Sequence, residues 1–444
     1  MYLKNIFLIF NFIYNISFSI DAALLVETSG EEALSNPIVY AFVNGVCTTD
    51  GEGDYEHGKR MLSLLTQLPG EPRVFNSISI CGSGVPADRS LGENNLTLNP
   101  TVPADINIIV SYYCVKEKAK MNLYISEYDS RSDLLTHQKD IIWVPLGLEF
   151  SLGYMKPSLP INLEERKESL YNRLSQKWKN LISFDRDLKD TVFVLGYYSP
   201  HKDFSVSILN AFANAPFAHG KDVLFFVKGD ENQVRLLQEC FRDGSHHVIT
   251  TTERIPDEDW HIMSQLADAS IATGDSSCSD PFFFRTLPLW RCHKTSEAKS
   301  WNFALKEWAS PENIDKERLF RYIDLLGQKD KSLLSEFVGE IDQKFIDDWK
   351  QFAAYIEEKY TLTSVKLSTV IDIANQIYLS ECSAYSDEEH FKVLGAIDNA
   401  SSILSPETIG CLAFGYSTKH RNIEEDRHDL TEAVKRKFRY LMGW

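Results

Sequence analysis

Candidate acid–base groups lie in segment 50–59, which reads Asp-Gly-Glu-Gly-Asp-Tyr-Glu-His-Gly-Lys. Asp54 and His57 are titratable and stand about one helical turn apart, so both side chains can face the same crevice. The glycines let a ligand approach the backbone, and the start of a helix offers unpaired N–H groups. Asp54 has two interpretations that the sequence leaves open: a general base that deprotonates a hydroxyl, or a helix-capping residue.

A second candidate segment, 271–281, leads from an apolar strand into a dense group of small polar residues. Hydroxyls and backbone N–H groups suit phosphate oxygens, and a nearby carboxylate suits sugar hydroxyls. Pro281 fits the first position of a short helix over 280–285, with Ser279 or Asp280 as its cap. A strand-to-helix turn needs a single capping residue, so the pattern favours a phosphate and sugar site. The predicted donor-binding residues here are Gly274, Asp275, Ser276, Ser277, Ser279 and Asp280.

Three further polar turns follow neighbouring apolar runs. Lys228 closes the run 223–227, where a lysine suggests a diphosphate partner. The turn 250–254, after the run 247–250, either contacts a base or adds a second positive charge through Arg254. Carboxyl ends of parallel strands collect at one edge of a sheet, so these turns are predicted to share a ligand. The residues assigned to donor binding in them are Gly196, Tyr197, Lys228, Gly229, Thr252 and Arg254.

The elements that must position these residues follow a strand–turn–helix rhythm, which predicts βαβ units and parallel sheets. From about residue 301 the pattern is almost wholly helical, with aromatic residues at core spacing. We predict a signal peptide or first element at 1–22, an N-terminal Rossmann-like domain at 23–160, a connector at 161–190, a C-terminal Rossmann-like domain at 191–306 and a helical region at 307–444.

The overall composition narrows the partners. A formal charge of −17 argues against a nucleic-acid-binding surface, because such a surface must be positive. Eight cysteines stand singly with no zinc-type spacing, which favours buried free thiols in a reducing, cytoplasmic compartment. The apolar run 6–20 is too short and polar for a stable membrane span, but it leaves export as the alternative.

Over about residues 37–306, the architecture and the two glycine-containing turns resemble the GT-B glycosyltransferases of bacterial type. The resemblance implies two facing Rossmann-like domains, with the donor nucleotide sugar held by residues 274–280 and Asp54 acting as the base. It also places Glu127, Tyr128 and Glu149 on the acceptor side of the cleft. The co-substrate is the nucleotide sugar, and no other cofactor is expected.

Two departures from the GT-B patterns refine the expected reaction. The donor-loop helix lacks the two glutamates, eight residues apart, that mark retaining members, and this favours inversion. No convincing D-x-D metal motif is present, so Lys228, Arg254 and helix N-termini are expected to neutralise the leaving diphosphate without metal.

Two other functions stay open. A nucleotide-sugar epimerase can share the same fold, with Asp54, Glu127 and Glu149 as the candidate acids. A catalytically silent interaction protein would use the long helical region to bind a partner. The acceptor of a transferase, whether protein, glycan or lipid, is not specified by the sequence.

Overall fold

The computed structural model describes residues 38–46, 53–69, 75–81, 104–110, 121–127, 141–146, 152–182, 188–197, 206–229, 231, 235, 239, 247–271, 275–289, 295–328, 331–382, 387–405, 408–409 and 412. The chain divides into two compact units, Met1–Ile38 and Val39–Trp444. The predicted signal peptide or first element at 1–22 lies outside the described residues. Both sheets lie in the second unit.

The first sheet of this unit has five strands, all parallel, in the order β2-β1-β3-β4-β5. Most of its described side chains are apolar and buried, among them Phe42, Ile108 and Ile125, as continuous β-rich runs predict for a parallel sheet. The strands are β1 Tyr40–Val46, β2 Phe75–Cys81, β3 Ile106–Ile109, β4 Met121–Glu127 and β5 Ile141–Leu146. Helix α1, Gly53–Leu65, follows β1.

The second sheet also has five parallel strands, in the order β10-β9-β6-β7-β8. Taken in its own chain order, this arrangement is 5-4-1-2-3, the order of a dinucleotide-binding doubly wound sheet. The strands are β6 Thr191–Tyr197, β7 Asp222–Lys228, β8 His247–Thr251, β9 Ala269–Ile271 and β10 Leu287–Pro288. The predicted parallel α/β fold is therefore confirmed.

Helices cover both faces of the second sheet. Successive side chains of a strand point to opposite faces, so each strand contributes to both cores. Val192 and Val194 pack in one apolar cluster, and Phe193 and Leu195 pack in another. Helices α2 Lys167–Arg173, α3 Gln176–Ile182 and α5 Asp257–Leu266 contribute to the second cluster. The segment predicted as a connector thus supplies part of the core, through side chains such as Trp178.

The helices of the C-terminal region contact both sheets. Helix α4, Val206–Ala213, packs in the first cluster of the second sheet, with side chains from the four helices α7 to α10, and Trp349 and Phe352 are fully buried there. Helix α11 instead returns to the first sheet, where Tyr378 donates a 2.6 Å hydrogen bond to Asp105. These helices are α7 Thr295–Glu307, α8 Lys316–Gly327, α9 Ser332–Gly339, α10 Gln343–Tyr360, α11 Ser364–Cys382 and α12 Asp387–Asn399.

The chain segments before α2 and after α10 are joined by a short backbone pairing. The Tyr154 N–H donates to the Tyr360 carbonyl at 2.7 Å, and the Leu362 N–H donates to the Tyr154 carbonyl at 2.8 Å. Gly153 has φ +101°, and a Cβ there would lie 2.1 Å from the Tyr360 carbonyl oxygen. This close approach requires glycine.

Helix α6 spans Asp275–Phe284, so the predicted short helix over 280–285 with Pro281 at its first position is wrong. Pro281 lies inside the helix, and the small polar residues before it already belong to helical turns. A proline removes one N–H donor, and at this position the carbonyl concerned belongs to the first helical turn. The proline therefore marks the interior of this helix, at the cost of one hydrogen bond, and not its start.

Candidate functional site

The second sheet has a topological switch point between β6 and β9. From β6 the chain builds β7 and β8 on one side and then crosses to build β9 and β10 on the other. Such a reversal opens a crevice outside the carboxyl ends of the two central strands. Gly196 and Ile271 are paired at this point, and a Cβ on Gly196 would lie 2.8 Å from the Ile271 Cδ1 atom. Packing against Ile271 therefore explains the glycine without any ligand.

The first sheet has its own switch point, between β1 and β3, because β2 lies on one side of β1 and the later strands lie on the other. Helix α1 begins at Gly53, soon after β1 ends at Val46. Helix α6 begins at Asp275, soon after β9 ends at Ile271. Each switch point is therefore followed by a helix whose N-terminus is close to the carboxyl edge of its sheet.

The strand register places three of the predicted turns side by side. Tyr197 is paired with Lys228, and Lys228 is paired with Thr251. The Gly229 N–H donates to the Thr251 carbonyl at 3.0 Å, which extends this edge by one residue. The prediction that these turns share one sheet edge agrees with this register. Their role in donor binding stays a prediction.

The described donor-side residues differ in exposure. Lys228 and Gly229 are half-buried, Thr252 and Arg254 are exposed, and Ser279 is buried. For Tyr197, Asp275, Ser276 and Ser277 the structure describes the backbone alone, and the same holds for Glu127 at the end of β4. Gly274, Tyr128 and Glu149 lie outside the described residues.

Helix α1 carries both predicted acid–base residues. Asp54 is its second residue, so the structure places it within the first turn and not at the capping position. A carboxylate there is favoured by the positive end of the helix dipole. His57 is buried, with 6% of its surface exposed. The two residues do lie one turn apart on one helix, and their catalytic roles stay predictions.

Arg60, one turn after His57, contacts a residue of the second candidate segment. Its Nη2 donates to Asp280 Oδ2 at 3.2 Å, and its Nη1 lies 2.9 Å from Asp280 Oδ1. The side chain of Arg60 is 8% exposed and that of Asp280 is 22% exposed. The helices that follow the two switch points, α1 and α6, are therefore in contact through a largely buried ion pair.

The adjacent residue, Lys59, joins α1 to α5 through an ion pair with Asp257 and also contacts Glu56 Oε1 at 3.2 Å. Burial raises the pKa of Glu56, and the positive charge of Lys59 opposes that rise. For Lys59, burial lowers the pKa, but the hydrogen bond to Asp257 and the two carboxylate charges outweigh it, and the net pKa is raised. Lys59 thus stays charged between two acids.

A buried imidazole lies beside this network. His261 Nε2 is 2.8 Å from the Pro160 carbonyl, and its ring meets Phe284 edge-on at a centroid distance of 5.2 Å. Burial lowers the pKa of His261, while the Pro160 carbonyl and the Asp280 charge oppose the shift. The ring is therefore held largely uncharged at neutral pH.

Sequence reasoning did not select Arg60, Asp257 or His261. A usable signal exists for Arg60, because it shares the helix face of the buried residues His57 and Met61. A charged residue on a buried helix face requires an opposite charge nearby. The identity of that partner, 220 residues away along the chain, is set by the tertiary fold.

The described residues lack two features. They contain no group of three or more His, Cys, Asp or Glu side chains that could hold a metal ion. No helix among them has the length and hydrophobicity needed to span a bilayer.

No protein-family model and no curated protein matches the chain. A UDP-GlcNAc 2-epimerase from Neisseria meningitidis bound to UDP-GlcNAc is similar in structure, with TM-score 0.43 and 8% identity over 76% of this chain and 100% of that one. The Anabaena protein HepE in complex with UDP and glucose gives TM-score 0.40 and 10% identity over 76% and 100%. A glycosyltransferase involved in avilamycin A biosynthesis gives 0.34 and 10% over 78% and 98%. Similarities at these TM-scores and identities assign no function to this chain.

Proposed function

We propose that the protein is a glycosyltransferase of GT-B type that moves a sugar from a nucleotide sugar to an acceptor, with inversion and without metal. The observation that carries this proposal is the contact between α1 and α6, the helices that follow the two switch points. Switch points are where open α/β sheets bind ligands. Since the helices that follow the two switch points are in contact, a ligand at each switch point would lie near the other, which favours a reaction between two bound molecules.

The donor is assigned to the second sheet. Its strand order is that of nucleotide-binding sheets, and α6 begins with Asp-Ser-Ser, residues that suit phosphate and sugar oxygens. Lys228, at the carboxyl end of β7, lies on the same edge and supplies positive charge for a leaving diphosphate. Asp280 already pairs with Arg60, so we assign it to positioning α6 and leave sugar contacts to the residues before it.

The acceptor is assigned to the first sheet. Asp54 in the first turn of α1 would accept the proton of the acceptor hydroxyl as that oxygen attacks the anomeric carbon. The bond from the anomeric carbon to the diphosphate breaks in the same step, and the diphosphate leaves as an anion towards α6. Attack from the face opposite the leaving group inverts the anomeric configuration.

Binding is the first test. The purified chain is titrated by calorimetry with UDP, GDP, ADP and dTDP and with the corresponding nucleotide sugars. We expect one nucleotide to bind more tightly than the others, and Lys228→Ala to weaken it by about tenfold through loss of one charge-assisted contact. Absence of binding by every nucleotide would support the silent interaction protein.

Catalysis is the second test. The bound nucleotide sugar is incubated with candidate acceptors, and the anomeric configuration of the product is read by NMR. An epimer formed without acceptor would assign the epimerase reaction instead. Loss of transfer on addition of EDTA would overturn the metal-independent step.

The role of Asp54 is tested by substitution with a matched control. Asp54→Asn is expected to reduce transfer by about a hundredfold or more while donor binding is kept. Glu317→Gln is the control, because Glu317 is also an acidic second residue of a helix, α8, and is exposed. Equal activity of the two variants would reject Asp54 as the base.

A further inference from the structure

Polar and aromatic side chains converge where helices α7 and α10 end. Lys359 Nζ donates to the Tyr355 hydroxyl at 3.1 Å and to Glu307 Oε2 at 3.2 Å. It also lies over two aromatic rings, 5.5 Å from the centroid of Tyr355 and 5.2 Å from that of Tyr360. A carboxylate, an ammonium group and two phenols therefore meet in one place. We call these four residues the aromatic corner.

The two tyrosine rings are the walls of the aromatic corner. They stand at 85° to each other, with their centroids 6.1 Å apart. Tyr355 also stacks on the buried ring of Trp308, at a centroid distance of 5.7 Å and an interplanar angle of 25°. Both tyrosines are half-buried, whereas the side chains of Lys359 and Glu307 are each 45% exposed. The rings are thus anchored on the core, and the group that lies over them is a flexible, exposed lysine.

The formal charges of the aromatic corner cancel. Burial raises the pKa of Tyr360, the Tyr355 hydroxyl adds to the rise and Lys359 opposes it, so this phenol keeps its proton at neutral pH. For Lys359, burial lowers the pKa, but Tyr355, Tyr360 and Glu307 outweigh it, and the net pKa is raised. The lysine therefore stays positive beside the Glu307 carboxylate. The corner offers hydrogen-bond donors and acceptors without a net charge.

The aromatic corner lies away from the turns assigned to the donor. On the same helix, Trp349 Nε1 donates to the Thr286 carbonyl at 2.7 Å, and Glu357 pairs with Arg285. Thr286 and Arg285 come directly before β10, so this part of α10 lies near the amino end of that strand. The donor turns follow the carboxyl ends of β6 and β7. A ligand in the corner would leave the donor site free.

We propose that the aromatic corner is a second binding site, for a neutral oligosaccharide. A pyranose has apolar C–H faces that pack on aromatic rings, and hydroxyls that pair with carboxylate, ammonium and phenol groups. A phosphate would meet the Glu307 carboxylate, and a cationic ligand would meet Lys359, so the balanced charge favours an uncharged sugar. The bound sugar replaces the Lys359 ammonium over the rings and accepts a hydrogen bond from it. This site goes beyond the proposed transfer, because binding there needs no catalysis.

Binding is measured on the full chain by saturation-transfer difference NMR, without any nucleotide. The probes are maltopentaose, cellopentaose and xylopentaose, each at about 1 mM, a concentration that detects weak binding. We expect saturation transfer to at least one of them. A galacturonic acid pentamer is expected to show none, because its carboxylates would be repelled by Glu307. The result does not depend on the proposed transfer reaction, so the two can fail separately.

Two variants locate the bound sugar. Tyr355→Leu keeps an apolar side chain against Trp308 but removes the ring and its hydroxyl, and it is expected to weaken binding by about tenfold or more. Tyr360→Phe keeps the ring and removes one hydroxyl, and it is expected to weaken binding by about threefold to tenfold. The second change is small enough to keep the fold if the first lowers stability.

Tyr171→Leu is the matched control. Tyr171 is a half-buried tyrosine of α2, outside the corner, and its hydroxyl donates to the Lys179 carbonyl at 3.0 Å. This variant is expected to bind the sugar as the wild type does. Absence of saturation transfer to all three neutral pentasaccharides would overturn the site. Equal transfer to the galacturonic acid pentamer, or binding unchanged in both corner variants, would overturn it as well.

Discussion

Replacement of Gly153 by alanine is expected to break the backbone pairing between the two connecting segments. Gly153 has φ +101°, which L side chains rarely adopt, and its added Cβ would lie 2.1 Å from the Tyr360 carbonyl oxygen and 2.8 Å from the carbonyl carbon. Neither atom is the end of a flexible side chain. The backbone of one segment must therefore move.

The magnitude follows from two contributions. Holding alanine at a positive φ costs about 1–3 kcal/mol. Displacing the Tyr360 carbonyl breaks its 2.7 Å hydrogen bond from the Tyr154 N–H, and an unmade buried hydrogen bond costs about 1–3 kcal/mol. The free energy of unfolding is expected to fall by about 2–6 kcal/mol in total, before any relaxation.

Gly220→Ala is the matched control. Gly220 also has a positive φ, +75°, but nothing lies within 4 Å of an added Cβ. This variant has the conformational cost alone, about 1 kcal/mol after alanine's smaller unfolded-state entropy is subtracted. The difference between the two variants isolates the clash with Tyr360.

The assay combines the urea-unfolding midpoint with amide exchange at Tyr154 and Leu362. We expect Gly153→Ala to lower the midpoint well beyond the control and to speed exchange at both amides by about a hundredfold, since about 1.4 kcal/mol corresponds to tenfold. A midpoint equal to that of Gly220→Ala, with both amides still protected, would refute the reasoning.

Three further outcomes are expected. Arg60→Met leaves the Asp280 carboxylate largely buried without its partner, so it should lower the free energy of unfolding by about 2–4 kcal/mol. The control is Lys177→Met, which should change that free energy by less than about 1 kcal/mol because both side chains of its ion pair are more than half exposed. Equal urea midpoints for the two variants would contradict this prediction. His261→Gln should remove an acid-dependent loss of stability: burial lowers the pKa of His261 in the folded state, so the stabilisation is complete above its unfolded pKa and is lost as pH falls through the folded pKa. Thermal midpoints measured below about pH 6.5 should therefore fall faster for the wild type than for the variant, and parallel curves would reject the shift. Gly395 lies in α12, and a Cβ added there would meet no atom within 4 Å. Gly395→Ala should therefore raise the free energy of unfolding by about 0.5–1 kcal/mol in urea titrations. A lower free energy of unfolding in the variant would contradict the prediction.

Several elements could be predicted because the signals are local. Apolar β-rich runs such as 223–227 are buried strands whatever surrounds them, and Trp349 and Phe352 recur at the spacing of a helix face that must be covered. The turn after β9 was located by its small polar residues, although α6 starts earlier than the proline suggested.

The catalytic and donor-binding roles stay predictions. Asp54 and Asp275 are the second and first residues of the helices that follow the two switch points. Gly196 has a packing reason that the sequence could not reveal, since Ile271 comes from a strand 75 residues later.

The sequence by itself determined that this protein is α/β with parallel strands, and where its polar turns fall, because side-chain periodicity and turn chemistry act over a few residues. Tertiary structure alone decided the two strand orders, the return of α11 to the first sheet and the pairing of Arg60 with Asp280. These features depend on which distant segments bury each other's surface and charge, and no single stretch of the sequence specifies that.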